Sequence, residues 1–139
     1  MEVQYESHYF NDVVSIKADY SFTDTRKKNS ASATDSTFDR QLILLPQHLF
    51  HLLLSFHFDP VTIGVNHVIT GARYTTEDNS KALQAFRITS ANIGVRHQLG
   101  SWRFHTMLEA NNLFNQQYEA LPFYPMPGRT WRLILGIEY

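Results

Sequence analysis

The sequence predicts an all-β protein, a segment of an antiparallel transmembrane β-barrel with about six to seven strands, short periplasmic turns and long extracellular loops. Three observations predict it. Apolar residues recur at every second position over stretches of roughly 9–11 residues, the length of a tilted strand that crosses a bilayer, against about 5–6 for a globular strand. In the four clearest stretches, 13–22, 48–58, 102–111 and 130–139, all six charges fall on one face: Lys17, Asp19, Arg103, Glu109, Arg132 and Glu138. Connections alternate between tight turns and long polar or Pro-rich segments, as they do in outer-membrane barrels.

Taken in order, residues near Val3 to His8 supply the end of a seventh strand. Val14, Ile16, Ala18, Tyr20 and Phe22 then oppose Val13, Ser15, Lys17, Asp19 and Ser21, a period of two that excludes a helix. The polar segment 24–47 follows, and its stretch 27–37 is poor in apolar residues and is expected to be mobile. Phe50, Leu52, Leu54, Phe56 and Phe58 oppose Leu49, His51, Leu53, Ser55 and His57, and Asp59-Pro60 makes a tight turn. Val61, Ile63, Val65 and Ile69 line the next strand opposite Thr62, Gly64, Asn66 and Thr70, with His67 an exception on the apolar face. After the connection 75–85, Ala91, Ile93 and Val95 oppose Ser90, Asn92, Gly94 and Arg96. A turn at Leu99-Gly100-Ser101 leads to Trp102, Phe104, Thr106, Leu108 and Ala110, opposite Arg103, His105, Met107, Glu109 and Asn111. Segment 115–127 precedes the last strand, where Trp131, Leu133, Leu135, Ile137 and Tyr139 oppose Thr130, Arg132, Ile134, Gly136 and Glu138.

Composition removes several function classes. Twelve Lys and Arg against 13 Asp and Glu leave a net charge of -1, so there is no electrostatic footprint for nucleic acid. With no Cys, disulfides, thiolate chemistry and Cys-ligated metal sites are excluded. No run approaches the ~18 apolar residues of a membrane helix. Gly-x-Ser-x-Gly, Gly-x-Gly-x-x-Gly and His-Glu-x-x-His patterns are absent, so no enzyme chemistry and no cofactor is expected. The start, Met1-Glu2-Val3-Gln4-Tyr5-Glu6, has neither the basic nor the apolar part of a secretory signal, so an exported protein is expected to have more chain upstream.

The final segment reads Ala110-Asn111-Asn112-Leu113-Phe114-Asn115-Gln116-Gln117-Tyr118-Glu119, then Tyr124-Pro125-Met126-Pro127-Gly128-Arg129-Thr130. It resembles the C-terminal signature of TonB-dependent outer-membrane receptors, N-L-F-(N/D)-x-x-Y and Y-x-x-P-G-R before a last alternating strand that ends in an aromatic residue. Upstream, Leu45-Pro46-Gln47-His48 resembles the family's P-x-H strand start, and Gly71, Arg73 and Tyr74 its G-x-R-Y strand end. The resemblance implies that residues 1–139 are the C-terminal part of a Gram-negative outer-membrane barrel of about 22 strands around an N-terminal plug. It implies a role in uptake of a scarce ligand such as ferric siderophore, haem, cobalamin or glycan. The plug and the TonB-engaging box are absent from this sequence. Implied partners are outer-membrane lipid, the remainder of the barrel and the plug, the barrel-assembly machinery, and TonB only through the N-terminal region. Leu133, Leu135, Ile137 and Tyr139 resemble the signal that this machinery reads; as residues they are equally an edge strand facing lipid.

Candidate site residues are few. Tyr118, Phe123 and Tyr124 are loop aromatics placed to touch a ligand at the extracellular mouth, although packing of the loop on itself is the simpler expectation. The seven His suggest metal, but His51 and His57 share a face about 20 Å apart, too far to ligate together. Arg103, Glu109, Arg132 and Glu138 form either a cross-strand charge ladder or a solvated wall that meets the plug; with register unknown, the wall is the expectation. Trp102, Trp131, Tyr20 and Tyr139 lie near strand ends, where amphipathic rings suit a membrane interface. Two other functional readings remain at this stage. One is a soluble β-barrel or sandwich that binds a small apolar ligand; the other is a non-functional truncated receptor remnant.

Overall fold

A computed structural model describes residues 1–29, 32 and 34–139. Eleven strands follow one another: β1 (Glu2–Tyr9), β2 (Val14–Phe22), β3 (His48–Phe58), β4 (Val61–Thr70), β5 (Arg73–Tyr74), β6 (Ala82–Leu83), β7 (Phe86–Leu99), β8 (Trp102–Asn111), β9 (Glu119–Leu121), β10 (Tyr124–Pro125) and β11 (Thr130–Glu138). Seven of them form one antiparallel meander in the order β1-β2-β3-β4-β7-β8-β11, while β5 with β6 and β9 with β10 make two small ladders inside long connections. The expected count of six to seven wall strands is what the sheet contains.

The register carries the face sorting across the whole sheet. Ile16 pairs with Leu54 and Leu54 with Val65; Ile63 pairs with Ile93, Ile93 with Leu108, and Leu108 with Leu133. A slip of one residue would turn each apolar row to the other side, so burial of that face in lipid would hold the register. The polar face is the hollow one. Ser55, His57, Thr62, Asn92, Arg96 and His105 line a cavity of about 1100 Å³ there. On this concave side, a Cβ added at Gly64 would stand 2.7 Å from Asn92 Nδ2, and one at Gly94 2.9 Å from Thr62 Oγ1. Both glycines leave space that a neighbour's side chain occupies where the sheet curves inward.

β7 is longer than its alternation predicts. It runs 14 residues, from Phe86 to Leu99, yet the apolar period covers only Ala91 to Val95. Near the loops the polarity reverses: Phe86 and Ile88 lie on the concave side, while Arg87 and Thr89 share the face of Ile93. Cross-strand pairing of Thr70 with Phe86, Val68 with Ile88 and His67 with Thr89 keeps the ladder intact through this reversal. Backbone pairing therefore outlasts the side-chain pattern that announced it.

No second layer covers the convex apolar face among the described residues, and Ala110 is the single buried hydrophobic side chain. A sandwich would set a facing sheet against these apolar rows. β1 and β11 are the two edges of the open sheet. The segment expected to be mobile, 27–37, includes residues 30, 31 and 33, which lie outside the described set; among its described residues, ion pairs join Lys27 to Asp35 and Lys28 to Asp39 just beyond it.

Candidate functional site

All three long connections leave the same end of the sheet, and polar contacts tie them to one another. Gln41, in the connection 23–47, is buried. Its amide donates to Asn79 Oδ1 at 2.9 Å, Asn79 Nδ2 returns a bond to the Gln41 carbonyl at 2.9 Å, and the Thr25 amide donates to Gln41 Oε1 at 3.2 Å. The Leu44 amide donates to the Tyr74 carbonyl at 2.8 Å, a second link to the connection 71–85.

Arg73 joins that connection to the last one, 112–129. Arg73 as a residue is 7% exposed, and its guanidinium donates from Nη1 to the Ala120 carbonyl at 3.0 Å and from Nη2 to the Glu119 carbonyl at 2.8 Å. It also lies 5.0 Å from the centroid of the Phe86 ring, which packs on Tyr118 at 4.4 Å. Burial holds Arg73 below the usual arginine pKa; arginine nonetheless stays a cation. A planar fork suits two adjacent carbonyls and an aromatic face together, which an ammonium does not.

The base of the last connection is fixed by Asn112, also buried. Its Nδ2 donates to the Gln116 carbonyl at 2.9 Å and the Pro127 carbonyl at 3.3 Å, and its Oδ1 accepts from the Gln116 amide at 2.9 Å. Asn112 and Asn115 both adopt positive φ, 50° and 53°, a conformation asparagine tolerates better than most residues. Asn115 Oδ1 accepts from the Arg129 amide at 2.9 Å and fills the space a Cβ would need at Gly128. The N-L-F-N and P-G-R segments thus meet as the two feet of one loop.

The three loop aromatics separate into two roles. Tyr118 is packed against Phe86 inside the arginine clamp, whereas Phe123 and Tyr124, at the tip of the β9–β10 hairpin, are 92% and 68% exposed. Arg73 and Gln41 are positioning residues that sequence reasoning missed, whereas Asn112 stands in the N-L-F signature already read from the sequence. Arg73 carried a signal, an arginine in the G-x-R-Y segment, but its acceptors lie 46 and 47 residues away.

Elsewhere, the expectation of an unpaired solvated wall is corrected. Arg132 Nε lies 2.9 Å from Glu109 Oε2 and Arg103 Nη2 3.4 Å from Glu138 Oε2, because β11 pairs with β8 at those residues. Lys17 and Glu6 add a third cross-strand pair at 2.8 Å. His51 bridges neighbouring strands, with Nε2 2.8 Å from Asn66 Oδ1 and Nδ1 3.6 Å from Asp19 Oδ2. Among the described residues no group of three His, Cys, Asp or Glu is arranged to hold a metal. Leu133, Leu135 and Ile137 are exposed on the convex face of edge strand β11. Tyr139 packs on Trp102 with ring centroids 4.8 Å apart at the turn end; at the loop end Tyr20 Oη lies 2.8 Å from His48 Nδ1.

No family model matches the sequence, and no curated protein matches it. Solved structures do match the fold. The ferric preacinetobactin receptor BauA from Acinetobacter baumannii superposes with a TM-score of 0.83 at 12% identity, covering 98% of this chain and 21% of that one. The chain has the fold of about a fifth of an iron-complex receptor. The ferric citrate transporter FecA matches with a TM-score of 0.77 at 15% identity, over 91% of this chain and 21% of that one. The siderophore receptor PiuA from Acinetobacter baumannii gives 0.76 at 19% identity, over 96% and 20%. In this receptor fold the seven long strands are a stretch of wall, and the stapled connections sit on its rim.

Proposed function

We propose that this chain is the C-terminal portion of the barrel of a TonB-dependent receptor in a Gram-negative outer membrane, and that it serves ligand uptake rather than catalysis. The observation that carries the reading is the match of nearly the whole chain to about a fifth of a ferric-siderophore receptor. Two physical features support it. The convex apolar face suits lipid and the concave polar face suits a filled lumen. The open edges at β1 and β11 need further strands, because a bilayer does not solvate unpaired backbone groups.

Within that reading the ligand is an iron complex, because two of the matched receptors are named for ferric preacinetobactin and ferric citrate and the third for a siderophore. Phe123 and Tyr124 are the loop residues that face it, and the Arg73 clamp holds their hairpin in place. Leu133, Leu135, Ile137 and Tyr139 present the pattern that the barrel-assembly machinery reads. The plug and TonB act from outside this sequence. Deleting the gene that encodes the chain tests the role. Under iron limitation the protein is expected in the outer-membrane fraction, with its 112–129 loop labelled on intact cells, and the deletion should abolish uptake of at least one radiolabelled ferric siderophore. A soluble protein, or unchanged uptake across a siderophore panel, would contradict the proposal and favour a remnant without function.

A further inference from the structure

The reversal of polarity at the loop end of β7 puts polar side chains where the wall is otherwise apolar. On the convex face of the seven long strands, Arg87 is the one charged residue among those described; the other charges of these strands all lie on the concave face. Arg87 is exposed and makes no hydrogen bond or ion pair with any described residue. Directly below it on the same face, His67 Nδ1 and Thr89 Oγ1 lie 2.8 Å apart across the β4–β7 ladder. The next row toward the middle of the wall holds the small Ala91 and Ala110, with exposed Trp131 beside them on β11.

We propose that Arg87, with His67 and Thr89, forms a lipid-facing notch that binds the phosphate of an anionic phosphorylated lipid in the outer leaflet. The inference rests on the outer-membrane reading above. Charge complementarity selects the occupant. An unpaired guanidinium at the loop-side rim is matched by a phosphate in fork geometry, and a lone cation on a face that meets lipid is stable only beside the headgroups. The His67 and Thr89 pair supplies polar groups one step deeper, where a phosphate ester or sugar hydroxyl of the same headgroup reaches. The two alanines beneath leave a shallow channel for an acyl chain, walled by the Trp131 ring, a side chain suited to the interface. The opposite rim carries no convex-face charge among the described residues, so the notch favours the lipid of one leaflet.

The test uses the whole protein, purified from outer membranes in mild detergent and placed in phosphatidylcholine nanodiscs that contain either lipid A or its dephosphorylated form. Native mass spectrometry reads the lipid retained. Wild type is expected to prefer the phosphorylated form by about tenfold, the worth of one charge-assisted contact. R87Q should lose that preference, R87K should keep part of it, and T89V should weaken it less. The Arg87 side chain holds no partner among the described residues, so R87Q is expected to fold, and an unchanged melting curve checks this. Equal retention of both lipids by wild type, or an R87Q preference equal to wild type, would overturn the proposal. So would displacement of lipid A by inorganic phosphate at comparable concentration, which would mean an anion site rather than a lipid site. Each of these results leaves the uptake role standing if the protein remains in the outer membrane and transports its ligand; absence from that membrane would remove both.

Discussion

Gln41, Thr70, Arg73 and Asn112 are buried at the loop end of the sheet, whereas Ala110 is the single buried hydrophobic residue of the strands beneath. The two regions are held by different forces. In the wall, backbone ladders satisfy the strands and the apolar rows face outward, where, on the proposed outer-membrane reading, lipid would do the work that a second layer does in a water-soluble protein. The loops project into water without an apolar core of their own. They are fixed by side chains that replace missing backbone partners: an arginine on two carbonyls, an asparagine between the feet of a loop, and a glutamine and asparagine that exchange bonds. The difference teaches that the polar core of such a sheet can lie in its loops and not in its wall, and that damage to either region should leave the other standing.

The largest effect is expected from a charge on the wrong face of the wall. Leu133→Arg places a guanidinium among outward apolar residues, at a cost of roughly 2–4 kcal/mol near mid-height, and should abolish the heat-modifiable folded band on gels. Ile134→Arg, one residue along and facing the hollow, should keep that band; equal loss in both would break the distinction between faces. Next comes the loop cap. Arg73→Ala strips two charge-assisted bonds from the Glu119 and Ala120 carbonyls, roughly 3 kcal/mol of local stability. Amide exchange in 119–125 should accelerate about a hundredfold while the unfolding midpoint of the barrel stays put. A matching fall in that midpoint would mean that cap and wall are one cooperative unit.

Smaller still is the ladder inside the wall. A double-mutant cycle on Arg132 and Glu109 should return about 0.5–1 kcal/mol, because Arg132 is largely solvated. A coupling near zero would return these residues to a simple solvated wall. The smallest effect concerns the turn between β5 and β6, where hydrogen bonds from Thr76 and then Ser80 hold Asp78 down at about 2 from its usual 3.8. A depressed carboxylate stabilises the turn above its unfolded pKa and loses that contribution as pH falls through the folded one. Amide exchange at Ser80, whose N–H donates to Asp78 Oδ1 at 3.1 Å, should therefore quicken as pH drops from 3.8 toward 2, beyond the change in intrinsic rate. No such excess would show that Asp78 does not brace the turn.

The wall was legible in the sequence because its signal is local and repeated. A period of two over nearly ten residues, with every charge of the four clearest stretches on one side, needs no knowledge of partners. The N-L-F-N and P-G-R segments were legible as strand boundaries for the same reason. What escaped depends on residues far apart in the chain. The Arg132 and Glu109 pair requires the β8–β11 register, which period alone does not fix. Arg73 required its acceptors in another loop, and strands such as Arg73–Tyr74 or Tyr124–Pro125 are too short to show a period. The start of β7 escaped because Phe86 to Thr89 reverse the usual polarity, apolar toward the hollow and polar toward lipid.

The central claim is that the convex face meets lipid and the concave face meets water. The chain has no cysteine, so single cysteines from Leu133→Cys to Ile137→Cys, placed in the whole protein with any cysteine elsewhere replaced, can each carry a spin label without background. Collision with oxygen should be high at 133, 135 and 137, collision with a water-soluble nickel complex should be high at 134 and 136, and the two should alternate out of phase. Uniform access to nickel along the strand, or no alternation, would contradict the account.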